Sequence, residues 1–186
     1  MRTFIAIELE SPLRQLLVRV LRDSLPSSRE VRWCSEDQLH LTLKFLGEVH
    51  DTRLPQVCEV VKTACARVAP FAISLQGWGC FPDQRSPRVL WCGVRDPEEG
   101  CRRWVAAADP LLNELGFPIE GRAFTPHITL GRSRSAAGAR LLRQVFQTVA
   151  PPSSAPMQVR EIVVFESRLA PTGAQYRSLA TIPLVG

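Results

Sequence analysis

The sequence predicts an α+β fold built from two similar lobes, and three observations carry that expectation. Short segments rich in β-formers alternate with longer ones whose apolar residues recur at i, i+3, i+4 and i+7, the spacing of a helix face. No tract is of low enough complexity to act as a long linker, so residues 1–186 are expected as a single domain with a sizeable core. The tetrad His40-Leu41-Thr42-Leu43 has an echo in His127-Ile128-Thr129-Leu130, which suggests a duplicated lobe with one such motif in each copy.

The elements follow in order. Residues 3–9, "TFIAIEL", form a short apolar strand. Ser11 as N-cap and Pro12 at the first helical position open a helix whose Leu13, Leu16, Leu17, Val20 and Leu21 make one face. Residues 31–33 form a short strand, and residues 39–46 a longer one that carries the first motif and ends at Gly47. A second helix over about 54–68 places Leu54, Val57, Val61, Ala64 and Val68 on one side and stops before Pro70. Strands over 71–78 and 89–94 are joined by "CFPDQRSPR". A helix over about 97–115 should be kinked or split at Pro110 and closed by Gly116. The second motif strand follows, then a helix in "AGARLLRQVFQTV", a rigid loop "APPSSAPM", and a final strand pair, "VREIVVFES" with "YRSLATIPL".

Composition narrows the function classes. The hydrophobic fraction of 45 % against 22 % charged residues is that of a globular protein, not of a disordered chain. A formal charge of +5, carried almost wholly by arginine with lysine only at Lys44 and Lys62, suits anionic partners but equally a mildly basic surface. The six cysteines form no CxxC pair, which argues against a zinc site, and they read as reduced thiols of a cytoplasmic protein. "MRTFIAIELE" has too short an apolar run for a signal peptide, and no stretch reaches the roughly 20 apolar residues of a membrane span. No cofactor and no membrane partner is expected, and a monomer is the default.

The two motifs carry the chemistry. Side chains alternate faces along a strand, so His40 and Thr42 point one way while Leu41 and Leu43 anchor the other, and His127 and Thr129 repeat the arrangement. A single histidine among β-formers is ordinarily a satisfied, partly buried residue. Two of the chain's three histidines sharing His-aliphatic-Thr-Leu by chance is on the order of one in several thousand. His50, beside Asp51, reads as a surface turn residue.

Two imidazoles across a cleft can supply a base for an attacking oxygen and an acid for a departing one, which suits displacement at phosphorus without a metal. Threonine hydroxyls can donate to the non-bridging oxygens. Arg132 lies off the strict alternation, but a bulge near Gly131 would return it to the cleft to clamp a phosphate. Lys44 shares the His40 face by period two and is a weaker candidate for the same work.

With its motifs "VRWCSEDQLHLTLKFLGEV", "PRVLWCGV", "FTPHITLGRSR" and "FESRLAPTGAQYRSL", the chain resembles the two-histidine phosphoesterase superfamily almost end to end. More narrowly, it resembles the LigT-like RNA 2',3'-cyclic phosphodiesterases of bacteria and archaea. The resemblance implies a bilobal LigT-like fold with pseudo-two-fold symmetry, two antiparallel sheets lining a central cleft and helices outside. It implies His40 as the acid on the leaving 3'-oxygen, His127 as the base on water, and Thr42, Thr129 and Arg132 as phosphate holders. The partner would be an RNA 3' end bearing a 2',3'-cyclic phosphate and the product a 2'-phosphate. A reversible 2'-5' RNA ligase, another cyclic substrate and a non-catalytic RNA-end binding module remain as alternatives.

Overall fold

A computed structural model describes residues 1–24, 29–170 and 173–186. Its elements run β1 (Arg2–Glu8), α1 (Ser11–Ser24), β2 (Val31–Trp33), β3 (His40–Glu48), α2 (Leu54–Cys65), β4 (Phe71–Phe81), β5 (Val89–Arg95), α3 (Gly100–Glu114), β6 (His127–Ser133), α4 (Ala136–Thr148), β7 (Met157–Val159), β8 (Glu161–Ala170) and β9 (Gly173–Pro183). Each expected element is present with ends shifted by a few residues. Two segments depart: the expected strand over 159–167 is divided at Arg160, with β7 pairing with β4 and β8 with β1, and α3 is not split at Pro110 but runs through it as one helix. Cys101, Trp104, Ala108 and Leu112 bury its inner face on both sides of the proline. That packing, each large side chain contributing about 2 kcal/mol, outweighs the one backbone hydrogen bond a proline removes.

The sheet follows the order β7-β4-β5-β6-β3-β1-β8-β9, with β2 added against β6. It reads the same from either end: two antiparallel ladders, β3-β1-β8-β9 and β6-β5-β4-β7, meet where β3 pairs with β6. The expected two sheets are therefore joined edge to edge, through the single register pair Leu41↔Ile128. The lobes also do not follow the sequence halves. β4 comes after α2 yet lies in the β6 ladder, and β8 and β9 return late in the chain to close against β1.

The helices cover one face. Val57, Val61, Ala64 and Cys65 of α2 pack with Trp104, Ala108 and Leu112 of α3 onto Ile5, Ile7, Leu41 and Ile128 in one continuous core. The Trp104 indole N–H donates to Cys65 Sγ at 3.3 Å. Beneath α4, Leu142 and Val145 form a second cluster with Val31 and Leu90. With this face covered, the other face of both ladders is left to form the cleft. No helix is long and apolar enough among the described residues to cross a membrane.

Candidate active site at the seam of the two ladders

Strand alternation sets the site. Leu41, Leu43, Ile128 and Leu130 are buried under the helices, while His40, Thr42, His127 and Thr129 are half-buried on the open face. Antiparallel pairing about Leu41↔Ile128 puts His40 opposite Thr129 and Thr42 opposite His127. The two histidines are then diagonal neighbours, a relation that in a regular ladder separates residues by about 7–8 Å. The motifs interlock so that each histidine faces the threonine of the other.

Both rings are held alike. His40 Nδ1 lies 2.8 Å from the Gln38 carbonyl, and His127 Nδ1 lies 2.7 Å from the Thr125 carbonyl. A carbonyl only accepts, so each Nδ1 carries the hydrogen and Nε2 is the nitrogen free to give or take a proton. Phe4 lies 4.8 Å from His40 and Tyr176 meets its ring edge-on at 5.0 Å. Phe81 and Trp91 flank His127 at 5.2 and 5.6 Å. These four aromatic residues were not foreseen; they come from β1, β9, β4 and β5, and only the pairing of distant strands brings them to the motifs.

Burial pushes both imidazoles toward the neutral form. Desolvation takes His40 down to about 4, against the raising effect of the Gln38 hydrogen bond, and the charges of His127 and Arg132 add to the lowering. His127 is lowered for the same first reason, with Arg132 again lowering and Glu120 opposing. An unliganded cleft at neutral pH therefore holds two neutral rings, each with an open lone pair at Nε2.

Each motif strand carries a bulge just after its threonine. Against β1, Ala6 faces Thr42 but Ile5 faces Lys44; against β5, Trp91 faces Thr129 but Leu90 faces Gly131. The extra residue reverses the alternation that follows. Arg132 thereby reaches the cavity of about 480 Å³ that His40, Thr42 and Thr129 also line. The same device takes Lys44 off the His40 face, contrary to the period-two expectation. Its Nζ is buried, 2.7 Å from Asp109 of α3 and 2.9 Å from the Pro118 carbonyl. Phe45 occupies the place in β3 that Arg132 occupies in β6, and it is exposed in the same cavity. His127 borders a smaller adjoining cavity that shares Thr42 with the first. His50 caps a short turn at the surface, accepting from the Thr52 amide.

A fold of two mirrored ladders with an interlocked His-x-Thr pair at their seam is that of the two-histidine phosphoesterases, and residues 10–170 match the 2'-5' RNA ligase superfamily, to which the chain belongs. Among its relatives, a Methanothermobacter thermautotrophicus protein named RNA 2',3'-cyclic phosphodiesterase is 32 % identical over 98 % of this chain and 98 % of its own length. A Geobacillus stearothermophilus protein of the same name is 32 % identical over 98 % of this chain, which spans 57 % of that relative. Among solved structures, E. coli LigT complexed with 3'-AMP superposes with a TM-score of 0.79 at 26 % identity, over 100 % of this chain and 98 % of that one.

Proposed function

We propose that this protein is an RNA 2',3'-cyclic phosphodiesterase that opens the cyclic phosphate by acid-base catalysis at His40 and His127. The observation that carries this reading is the reciprocal placement of the two motifs about Leu41↔Ile128, with both Nδ1 atoms committed to backbone carbonyls. The two Nε2 atoms can then flank one phosphorus. His127 takes a proton from water as the water oxygen bonds to phosphorus. His40 gives a proton to the 3'-oxygen as the P–O3' bond breaks, and a 2'-phosphate remains.

Both rings begin neutral, so the reaction needs one of them charged. A bound phosphodiester anion supplies the condition, because a nearby opposite charge favours the protonated imidazole. Thr42, Thr129 and Arg132 donate to the non-bridging oxygens, where charge builds up in the transition state. Both histidines come from one chain, so the chemistry needs only a monomer. A cytoplasmic setting accords with the six free thiols.

The test is turnover of a 2',3'-cyclic nucleotide by protein in excess EDTA. Turnover should persist in the chelator and fall about 100-fold or more in His40→Ala and in His127→Ala. Undiminished rates in either variant would refute the mechanism. The ligase alternative is settled by product: a joined 2'-5' strand in place of a terminal 2'-phosphate.

A further inference from the structure

We infer that Arg32 and Arg2 form a subsite for the internucleotide phosphate just upstream of the reacting end, so that the cleft selects an RNA strand over a cyclic mononucleotide. This inference rests on the function proposed above and specifies its substrate.

The first observation is a cross-strand pair. In the β2–β6 ladder Arg32 lies directly opposite Arg132, with Trp33 opposite Gly131 and Val31 opposite Ser133. Two guanidinium groups face one another from strands about 5 Å apart, an arrangement that costs stability unless an anion lies between or beside them. No counter-ion from the protein offsets it, because none of Arg2, Arg32 and Arg132 has an ion-pair partner among the described residues. Arg168 and Arg177 on the neighbouring strands are different: both are tied to Glu166, at 3.0 and 2.9 Å.

The three free arginines converge. All of them line the cavity that holds His40, Thr42 and Thr129. Their charges are felt together at the Tyr176 hydroxyl, and those of Arg32 and Arg132 at the Cys34 thiol. Arg32 lies over Gly173, where a Cβ would stand 2.6 Å from its Nη2; the glycine leaves that guanidinium its room. Arg132 is nearest the motifs, and Arg32 and Arg2 continue the positive wall away from them.

The second observation gives the wall a direction. On the other side of His40 lies a cavity of about 510 Å³ lined by Glu8, Glu36 and Asp37, whose one cation, Arg14, is held by Glu8 and by the Leu9 carbonyl at 2.7 Å. His40 thus divides a basic mouth from an acidic one. A polyanionic strand whose last phosphate sits at the seam is repelled by the acidic mouth and leaves past Arg32 and Arg2.

The experiment compares kcat/KM for a 2',3'-cyclic mononucleotide and for a trinucleotide ending in a 2',3'-cyclic phosphate, each over a range of salt. The trinucleotide should be preferred, and Arg32→Gln together with Arg2→Gln should lower the trinucleotide-to-mononucleotide ratio roughly tenfold, as expected for loss of charge-assisted phosphate contacts. The logarithmic salt slope for the trinucleotide should become shallower by about 0.7 for each arginine removed. Arg32→Lys, which keeps the charge, should hold that slope, a result a purely structural role would not give. Glu36→Gln should not lower the ratio.

A wild-type ratio near one, or a ratio unmoved in the double variant, overturns the subsite while leaving the cyclic phosphodiesterase reading intact. Failure of the wild type to open either substrate overturns that reading, and the subsite with it.

Discussion

The burial of His40 has a consequence for stability that can be measured without substrate. Its pKa is about 4 in the folded protein against an ordinary 6.5, chiefly because the ring is desolvated among Phe4, Phe165 and Tyr176. Between those two values the unfolded chain binds a proton at this residue and the folded chain does not. Stability therefore falls as the pH drops from about 6.5 toward 4, and the loss is complete below the lower value. A shift of about 2.5 units corresponds to at most about 3 kcal/mol.

The perturbation is His40→Asn, which keeps a short amide able to donate to the Gln38 carbonyl and removes the titration. Urea unfolding of both proteins at pH 7, 6, 5 and 4 gives two stability curves, and their difference isolates His40 from every other acid-sensitive group. The wild type should lose up to about 3 kcal/mol more than the variant across that range. The chain has only three histidines, so each can also be followed by NMR. A His40 ring that titrates at or above 6.5 in the free protein, or parallel stability curves for the two proteins, would refute the reasoning.

An aryl phosphodiester with a good leaving group needs little help from an acid; on it His40→Ala should lose far less activity than on a cyclic nucleotide, whereas His127→Ala should lose as much on both. Steady-state rates on the two substrates check the division of labour. Lys44→Met should cost about 3–5 kcal/mol in denaturant unfolding, because it strands Asp109 as an unpaired, largely buried charge. Its KM should be that of the wild type. Gly79→Ala would drive a Cβ into the Trp91 ring, which packs on His127, and should destabilise by about 1–3 kcal/mol with a fall in turnover.

How much of this was legible beforehand depends on the range of the physics involved. The alternation of His40 and Thr42 against Leu41 and Leu43 is local, and both motif strands form as the pattern requires. The helix faces are equally local: Val57, Val61 and Ala64 stand four and then three residues apart and are buried together. The bulges are not local. A period-two count carries Lys44 to the cleft face, and one extra residue in β3, which only the register against β1 reveals, takes it off; for Arg132 the glycine at 131 already points to a bulge, and the register against β5 has the extra residue there. The course of α3 through Pro110 is a matter of tertiary packing, which no count of propensities along the helix contains. The aromatic partners of the two histidines and the Arg32↔Arg132 pair depend on which strands become neighbours, and the exchange of β4 against β8 and β9 across the seam is invisible in a chain read end to end.

That exchange also dictates when the protein can work as it is made. His40 lies early in the chain, but Tyr176 at its ring edge belongs to β9, which joins the ladder through β8, the strand that pairs with β1. Local pairs such as β1 with β3 can form while synthesis continues, yet the pocket around the first histidine waits for strands translated after the second. A nascent chain that has already displayed both histidines still lacks the Tyr176 wall of that pocket. The site is complete only once β8 and β9 have joined β1.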